Sequence, residues 1–275
     1  MKKLNELTIK DNWMFGAVML QDDNCRQFLE RLLGFQIESL TIDLEKNIIY
    51  HPEYKGIRLD VIANDADRTR YNLEMQVLSK DSLPRRVRYY SSEMDMDLLI
   101  SGTAYEQLPE SYVIFICDFD PFRQKKYCYR FQMRTQEGLE MQDGSHAIFL
   151  STMGQDADNV PEALVKFLKF VKANPEESQK DFGDSYVEKL QRDIQKIKVS
   201  REMGQRYMMF DELIAEEKEE SRKEGILLGE ESKLKKLIQK KLVKGLSIPE
   251  IAEHLEEDEE TVRKYIEEIG TGNEL

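Results

Sequence analysis

Hydrophobic residues recur at intervals of three and four residues near the start of the chain, and this spacing predicts helix over residues 5–34. The period then changes to two. Alternation of apolar and polar residues predicts three strands, at Ile37–Leu44, Ile57–Ile62 and Tyr71–Val77. Because the last two are separated by the Asn- and Asp-rich stretch Ala63–Thr69, they are expected to form a hairpin.

A second helical pattern runs from about Pro84 to Tyr105, and the short apolar run Ser111–Cys117 after it predicts a buried strand. Lys126–Met133 and His146–Leu150 are predicted to be further strands, which extend the sheet or lie beside it. The order helix, three strands, helix, strand predicts an α/β core of about 120 residues. Beyond position 159 the chain is predicted to be helical almost to its end.

These patterns divide the chain into three predicted parts. Residues 1–155 form the α/β core, residues 156–240 a helical extension, and residues 241–275 a small unit resembling a helix-turn-helix. The acidic run Glu256–Glu260 lies where the second helix of that unit would meet phosphates, so packing or dimerisation is favoured over DNA reading. The C-terminal helices are therefore the expected surface of a homodimer.

Composition places the chain among soluble globular proteins, with 40% hydrophobic and 34% charged residues. No segment approaches the ~20 apolar residues needed to cross a bilayer. The first residues lack the apolar run of a secretory signal, so a cytoplasmic protein without membrane contact is expected. Three widely spaced cysteines suit reduced thiols, and three scattered histidines argue against a zinc site.

The formal net charge of −13 argues against tight, non-specific binding to nucleic acid, because phosphate contacts need cations. The charge is unevenly distributed, however. Much of the acid follows Glu202, whereas Arg85–Arg88 and Arg123–Lys126 are local basic clusters. A local phosphate-binding groove is compatible with this pattern.

The predicted hairpin brings two carboxylates together. Alternation sets Glu74 and Gln76 on one face of their strand, and a turn centred near Asp67 puts Asp60 opposite Glu74. Opposed side chains have Cβ atoms only ~5 Å apart, so the two acids repel unless a cation binds between them. Mg²⁺ prefers oxygen ligands of this kind and can activate a water for attack on a phosphodiester. Gln76 would hydrogen-bond that water or a phosphate oxygen.

Alternation alone favours a plainer interpretation, in which the acidic face of the strand is exposed to solvent. Three details favour a functional site instead. The residues around Asp60 are hydrophobic, Asn72–Gln76 contains no cation to neutralise Glu74, and the basic helix beginning at Arg85 follows at once. The residues by themselves leave both interpretations open.

Residues 57–76, with Asp60, a hairpin and then Glu74-Met75-Gln76, resemble the PD-(D/E)XK nuclease signature. More narrowly, the stretch from about Leu7 to Phe122 resembles the PD-(D/E)XK nuclease family transposases, the recombination-promoting nuclease group. The segments that carry this resemblance are Thr8–Phe15, Tyr71–Gln76, Arg86 with Tyr89-Tyr90, Tyr105–Pro109 and Cys117–Phe122.

The resemblance implies a restriction-endonuclease-like core that cuts DNA with Mg²⁺, for which Mn²⁺ can substitute. Two positions depart from the general PD-(D/E)XK signature, since Gln76 stands in place of lysine and Leu59 in place of the proline before the first acid. The narrower group that the chain resembles uses Glu-x-Gln here, so the resemblance still allows activity. Gln76 cannot act as a cation. Asp11 is a candidate accessory acid or a helix N-cap, and Arg86 is a candidate phosphate contact or an exposed helical arginine.

The leading hypothesis is a Mg²⁺-dependent DNA endonuclease associated with transposition or recombination. Asp60 and Glu74 would bind the metal and form the catalytic centre with Gln76. The alternative is a catalytically inactive protein with the nuclease fold, which would act as an interaction module or regulator through its C-terminal helices.

Overall fold

The computed structural model describes residues 2–21, 23–48, 57–99 and 101–271. Within these ranges the chain forms one six-stranded sheet and eight α-helices. The strands are β1 (Leu40–Ile48), β2 (Ile57–Asp65), β3 (Arg70–Gln76), β4 (Ser111–Cys117), β5 (Cys128–Phe131) and β6 (Ser145–Ser151). The helices are α1 (Asn12–Met19), α2 (Asn24–Leu33), α3 (Leu83–Leu98), α4 (Glu162–Lys172), α5 (Ser185–Val199), α6 (Arg201–Val243), α7 (Ile248–Leu255) and α8 (Glu259–Thr271).

The strands are arranged in the order β1-β2-β3-β4-β6-β5. The first three are antiparallel, β3, β4 and β6 are parallel, and β5 pairs antiparallel with β6 at the edge. A parallel pair needs a crossover connection, and α3 lies in the segment that connects β3 to β4. The predicted order of helix, three strands, helix and strand is confirmed, and the two later strands extend the sheet.

The centre of the sheet is buried on both faces. All seven residues of β4 are buried. On one face Val113 and Phe115 pack with Tyr90 and Met94 of α3. Since Ile114 is also fully buried, the opposite face is covered as well. Burial on both sides explains why β4 is a continuous apolar run, whereas a half-exposed strand would alternate.

The first helical region is interrupted, contrary to the single helix predicted over residues 5–34. It forms the separate helices α1 and α2, and Asp23 between them has a φ of 61°. A left-handed residue cannot continue a right-handed helix. The apolar residues persist across this break because both helices are packed into the protein, with Met14–Met19 buried in α1 and Phe28, Leu29 and Leu32 buried in α2.

Two other predicted boundaries are wrong. The helix expected to reach Tyr105 ends at Leu98, and Gly102 adopts a left-handed φ of 87°. The strand expected from Ile37 begins instead at Leu40. The remaining strand predictions agree with the structure to within about three residues, which is typical of boundaries inferred from sequence patterns.

The chain divides into two compact units, Met1–Tyr207 and Met208–Leu275. In the second unit α7 and α8 pack with the last turns of α6 around a core that includes Ile238, Ile251 and Val262. The three-part division proposed from the sequence remains a prediction. Among the described residues, none of the helices combines the length and the apolar character needed to cross a bilayer.

Candidate metal centre and its arginine

The β2–β3 hairpin sets the two predicted acids opposite each other. Its pairing runs from Asn64 with Arg70 to Val61 with Leu73, and the next step in this register places Asp60 across from Glu74. The turn is held by the Asp65 carboxylate, which accepts a 2.9 Å hydrogen bond from the Thr69 amide. Because the turn residues are local and polar, the sequence was sufficient to fix this register.

Hydrogen bonds tie each acid to the other strand. Oδ2 of Asp60 accepts from the Met75 amide at 3.1 Å, and Oε1 of Glu74 accepts from the Asp60 amide at 3.3 Å. Nδ2 of Asn72 donates to the same Glu74 oxygen at 3.3 Å. The two carboxylates therefore share one face at the end of the hairpin, and the structure brings Asp60 and Glu74 together as the sequence predicts.

Burial raises the pKa of the Glu74 carboxyl. Its side chain is only 4% exposed. Loss of solvation, followed by repulsion from Asp60, raises the pKa of Glu74 to about 8, against the opposing effect of the Arg86 guanidinium. The ionised form of this carboxyl is therefore disfavoured near neutral pH unless further positive charge reaches it.

Arg86 on α3 is the cation nearest to this acid among the described contacts. Its Nη2 lies 3.2 Å from Oε2 of Glu74, and its Nη1 donates to Oε1 of Gln76 at 2.8 Å. Nε and Nη2 also donate to the Tyr90 hydroxyl, at 3.2 and 2.7 Å. Arg86 is thus neither a fully exposed helical arginine nor a distant basic residue, because it joins two of the predicted catalytic residues.

Gln76 is engaged at both ends of its amide group. Its Oε1 accepts from Arg86, and its Nε2 donates to the Leu78 carbonyl at 2.6 Å. Gln76 lies beside Glu74 on the same strand face, as predicted. Its contacts in the structure are with the protein, so orientation of a water by this amide remains a prediction.

The start of α1 lies beside Asp60. Nδ2 of Asn12 approaches Oδ1 of Asp60 at 3.4 Å. Asp11, the candidate accessory acid, instead accepts from the Thr8 amide and from Lys2 Nζ, each at 2.7 Å. It occupies the N-cap position of α1 without a side-chain bond to the first turn. Its accessory role remains a prediction.

Sequence reasoning missed Asn12, Asn72 and Tyr90. Two of them carried a local signal, since Asn72 precedes Glu74 by two residues on one strand face and Tyr90 follows Arg86 by one helical turn. Asn12 carried none, because its contact with Asp60 depends on how α1 packs on β2. Only the folded chain shows that approach.

The chemistry of this group of residues fits a divalent cation. Mg²⁺ typically binds one or two carboxylates and completes its shell with water and phosphate oxygens. Asp60 and Glu74 are two such carboxylates, and the neighbouring Oδ1 of Asn72 is a buried oxygen with no hydrogen-bond partner among the described residues. No group of three or more His, Cys, Asp or Glu suited to a metal occurs in that part of the chain. Two protein carboxylates leave the other coordination positions of such an ion to solvent or substrate oxygens.

The raised pKa of Glu74 predicts a pH-dependent stability of the metal-free protein. A carboxyl with a higher pKa in the folded state contributes stability that is complete below its ordinary value of 4.5 and lost as the pH rises through about 8. Glu74→Gln, which mimics the protonated form, should therefore lose less thermal stability than wild type between about pH 5 and pH 9 in EDTA. Thermal unfolding at a series of pH values measures this difference, and the exposed Glu137→Gln is the control. Parallel profiles for wild type and Glu74→Gln would contradict the prediction.

A mixed sheet with an antiparallel hairpin, a crossover helix and two acids facing each other from adjacent strands defines a nuclease-like α/β protein. The family model described as PD-(D/E)XK nuclease family transposase matches residues 12–242. The chain belongs to this family, and its core has the restriction-endonuclease-like fold. No curated protein and no solved structure matches the chain significantly.

Family membership supports a nuclease or transposase function in general terms, and PD-(D/E)XK nucleases generally use divalent metal ions. The match extends well beyond the hairpin, through α3, the parallel strands and much of α6. Asp60, Glu74, Gln76 and Arg86 all lie within the matched residues. The resemblance noted from the sequence is confirmed at the level of the family.

Proposed function

We propose that this protein is a metal-dependent DNA endonuclease that hydrolyses phosphodiester bonds, with Asp60, Glu74 and Gln76 as its catalytic centre. Asp60 and Glu74 would bind Mg²⁺, for which Mn²⁺ can substitute. One observation carries the proposal: two carboxylates oppose each other across β2 and β3, and one of them is buried, where loss of solvation and the neighbouring acid disfavour its ionised form and an added cation would favour it.

The surrounding residues prepare the two carboxylates for this role. The Met75 amide and Asn12 hold the Asp60 carboxylate from two sides, while Asn72 and Arg86 hold that of Glu74. Fixed ligands lose little freedom when an ion binds, which favours a defined geometry. A bound divalent cation would supply an activated water and offset negative charge that develops on the phosphate.

DNA is the proposed substrate, and the basic residues near the centre support it. Arg85 and Arg88 are exposed on the same helix as Arg86, which we propose as a phosphate contact. The net charge of −13 opposes broad electrostatic attraction to DNA, so binding would depend on these local cations. Their small number predicts weak non-specific binding that falls further as salt is raised.

The C-terminal unit is better suited to protein contacts than to reading DNA. On α8, Arg263 pairs with Glu259 at 3.3 Å, and Lys264 lies 4.0 Å from Glu268. Since acids accompany both of these cations, few positive charges remain on α8 for phosphates. We propose that the C-terminal helices support a homodimer, and that the enzyme acts in the cytoplasm in transposition or recombination.

The proposal is tested by incubating the wild-type protein with supercoiled plasmid, single-stranded DNA and branched DNA. We expect cleavage of at least one substrate with Mg²⁺ or Mn²⁺ and none in EDTA. Products are resolved on gels, and heat-treated protein serves as the control. Cleavage that continues at full rate in EDTA would reject the metal-dependent mechanism.

One observation favours the alternative of an inactive nuclease fold that serves as an interaction module. In the structure Arg86 already pairs with Glu74, and Gln76 carries no charge where the general PD-(D/E)XK signature has lysine. An inactive protein would bind neither ion nor scissile phosphate at this centre. Absence of cleavage on all three DNA forms, together with no detectable binding of Mn²⁺, would favour that alternative.

A further inference from the structure

The missing lysine of the signature leaves a specific gap in the catalytic centre. The third position of the signature holds Gln76, whose amide has no charge to place beside a phosphate oxygen. Arg86 nevertheless reaches this position from α3, and its Nη1 lies 2.8 Å from Oε1 of Gln76. A guanidinium therefore lies within hydrogen-bond distance of the position in which the signature places an ammonium group.

Arg86 is held in place on several sides. Its guanidinium carbon lies 5.1 Å from the centre of the Tyr90 ring and 5.2 Å from that of Phe115. The contacts with Glu74, Gln76 and the Tyr90 hydroxyl fix the plane of the group. A side chain restrained by two rings and three polar groups loses little further freedom on meeting a ligand.

The guanidinium also retains capacity for a ligand. An arginine has five N–H donors. Among the described residues Nε makes one hydrogen bond, Nη1 makes one and Nη2 makes two, so one donor on Nη1 has no partner there. The side chain is 27% exposed, which leaves it accessible from solvent. A ligand oxygen that approaches from solvent can therefore accept from this donor.

We propose that Arg86 is a catalytic residue that supplies, from α3, the positive charge that lysine supplies in the general PD-(D/E)XK signature. Its free Nη1 donor would bind a non-bridging oxygen of the scissile phosphate. Gln76 and Tyr90 act as positioning residues, because they hold the guanidinium rather than the substrate. This inference rests on the proposed endonuclease function and assigns the cation that the site otherwise lacks.

The test moves the positive charge from one element to another. Single-turnover cleavage is measured for wild type, Arg86→Ala, Arg86→Lys, Gln76→Lys and the double variant Gln76→Lys/Arg86→Ala. Arg86→Ala should reduce the rate about 100-fold or more, the size of effect seen when one donor to a developing oxyanion is removed. The double variant should recover at least about 10-fold of this loss, since its lysine returns the cation to β3. Arg192→Ala, which removes an exposed arginine of α5 that has no part in the site, should stay within about threefold of wild type.

Two further measurements show whether Arg86 acts on the phosphate directly or only by holding Glu74 in place to bind metal. Calorimetric titration with Mn²⁺ should give Arg86→Ala an affinity within a few-fold of wild type, and thermal unfolding shows that each variant is folded. Fluorescence anisotropy in Ca²⁺ should show weaker DNA binding by Arg86→Ala and recovery in the double variant.

The outcomes distinguish the two levels of the proposal. Wild type that cleaves DNA alongside an equally active Arg86→Ala overturns the role of Arg86 alone. The role of Arg86 is also overturned if the folded double variant does not recover activity. It is overturned as well if Arg86→Ala loses Mn²⁺ binding to the same extent as it loses cleavage. A wild type that neither cleaves DNA nor binds Mn²⁺ overturns the endonuclease function and this inference together.

Discussion

Alanine in place of Asp60 or Glu74 is expected to reduce DNA cleavage at least about 1,000-fold, which corresponds to about 4 kcal/mol of activation free energy. Each substitution removes one of the two carboxylates that oppose each other across β2 and β3. Since a divalent cation typically depends on only one or two protein carboxylates, the loss of either should also weaken Mn²⁺ binding severely. Plasmid cleavage and calorimetric titration measure the two effects on the same protein samples.

Matched variants exclude trivial explanations of that loss. Asp60→Asn keeps an oxygen to accept from the Met75 amide, so it tests the charge and preserves the hydrogen bond. Glu74→Gln keeps the side-chain volume and an oxygen that accepts from the Asp60 amide and from Asn72, so it tests the charge of Glu74 in the same way. Asp67→Ala, at the exposed turn of the same hairpin, should cleave as wild type does. If Asp60→Asn and Glu74→Ala cleave DNA at the wild-type rate, these two acids do not form the catalytic centre.

The hairpin was the part of the site most accessible to prediction. The alternation of β3 assigns Glu74 and Gln76 to one face, and the polar turn between Asp65 and Thr69 sets the register that brings Asp60 across from Glu74. Both signals lie within about 20 residues and use only strand periodicity and turn chemistry. Buried strands such as β4 were equally clear, because a fully apolar run of that length has few other interpretations.

Contacts that depend on packing between distant elements were not predictable. The hydrogen bond from Arg86 to Gln76 requires α3 to lie across β3 at one particular angle, and the approach of Asn12 to Asp60 requires α1 to begin beside β2. Periodicity identifies the buried face of a helix but not the strand residue it will meet. For the same reason Asp11 was selected ahead of Asn12, although its contacts lie with Thr8 and Lys2.

The missing lysine has a physical consequence for how the site is interpreted. A signature is defined by residues on one strand, whereas the electrostatic requirement concerns a point in space that any neighbouring element can reach. In this chain α3 brings a guanidinium to that point, and Gln76 accepts one of its hydrogen bonds. Gln76 is therefore compatible with an active enzyme as well as with an inactive one. Comparing cleavage by Arg86→Ala with cleavage by Gln76→Lys/Arg86→Ala distinguishes these two interpretations.

The largest effect on stability is expected from Phe115→Ala. Phe115 is fully buried in β4, and its ring centre lies 6.3 Å from that of Tyr90 and 5.5 Å from that of Phe149. Truncation should lower the free energy of unfolding by about 3–5 kcal/mol, because it removes buried apolar surface and leaves a cavity. It also removes one of the two rings beneath Arg86.

Urea unfolding of the full chain, followed by circular dichroism, measures the loss of stability caused by Phe115→Ala. Phe131→Ala is the matched control, since this phenylalanine lies on β5 near the same rings but is 45% exposed, and its loss should be clearly smaller. Cleavage by Phe115→Ala, assayed well below its unfolding transition, should fall by less than cleavage by Arg86→Ala. The reason is that the polar contacts of the guanidinium with Glu74, Gln76 and Tyr90 do not involve the phenylalanine ring. Equal losses of stability in the two phenylalanine variants would show that the packing between α3 and β4 is not the stabilising centre of the sheet.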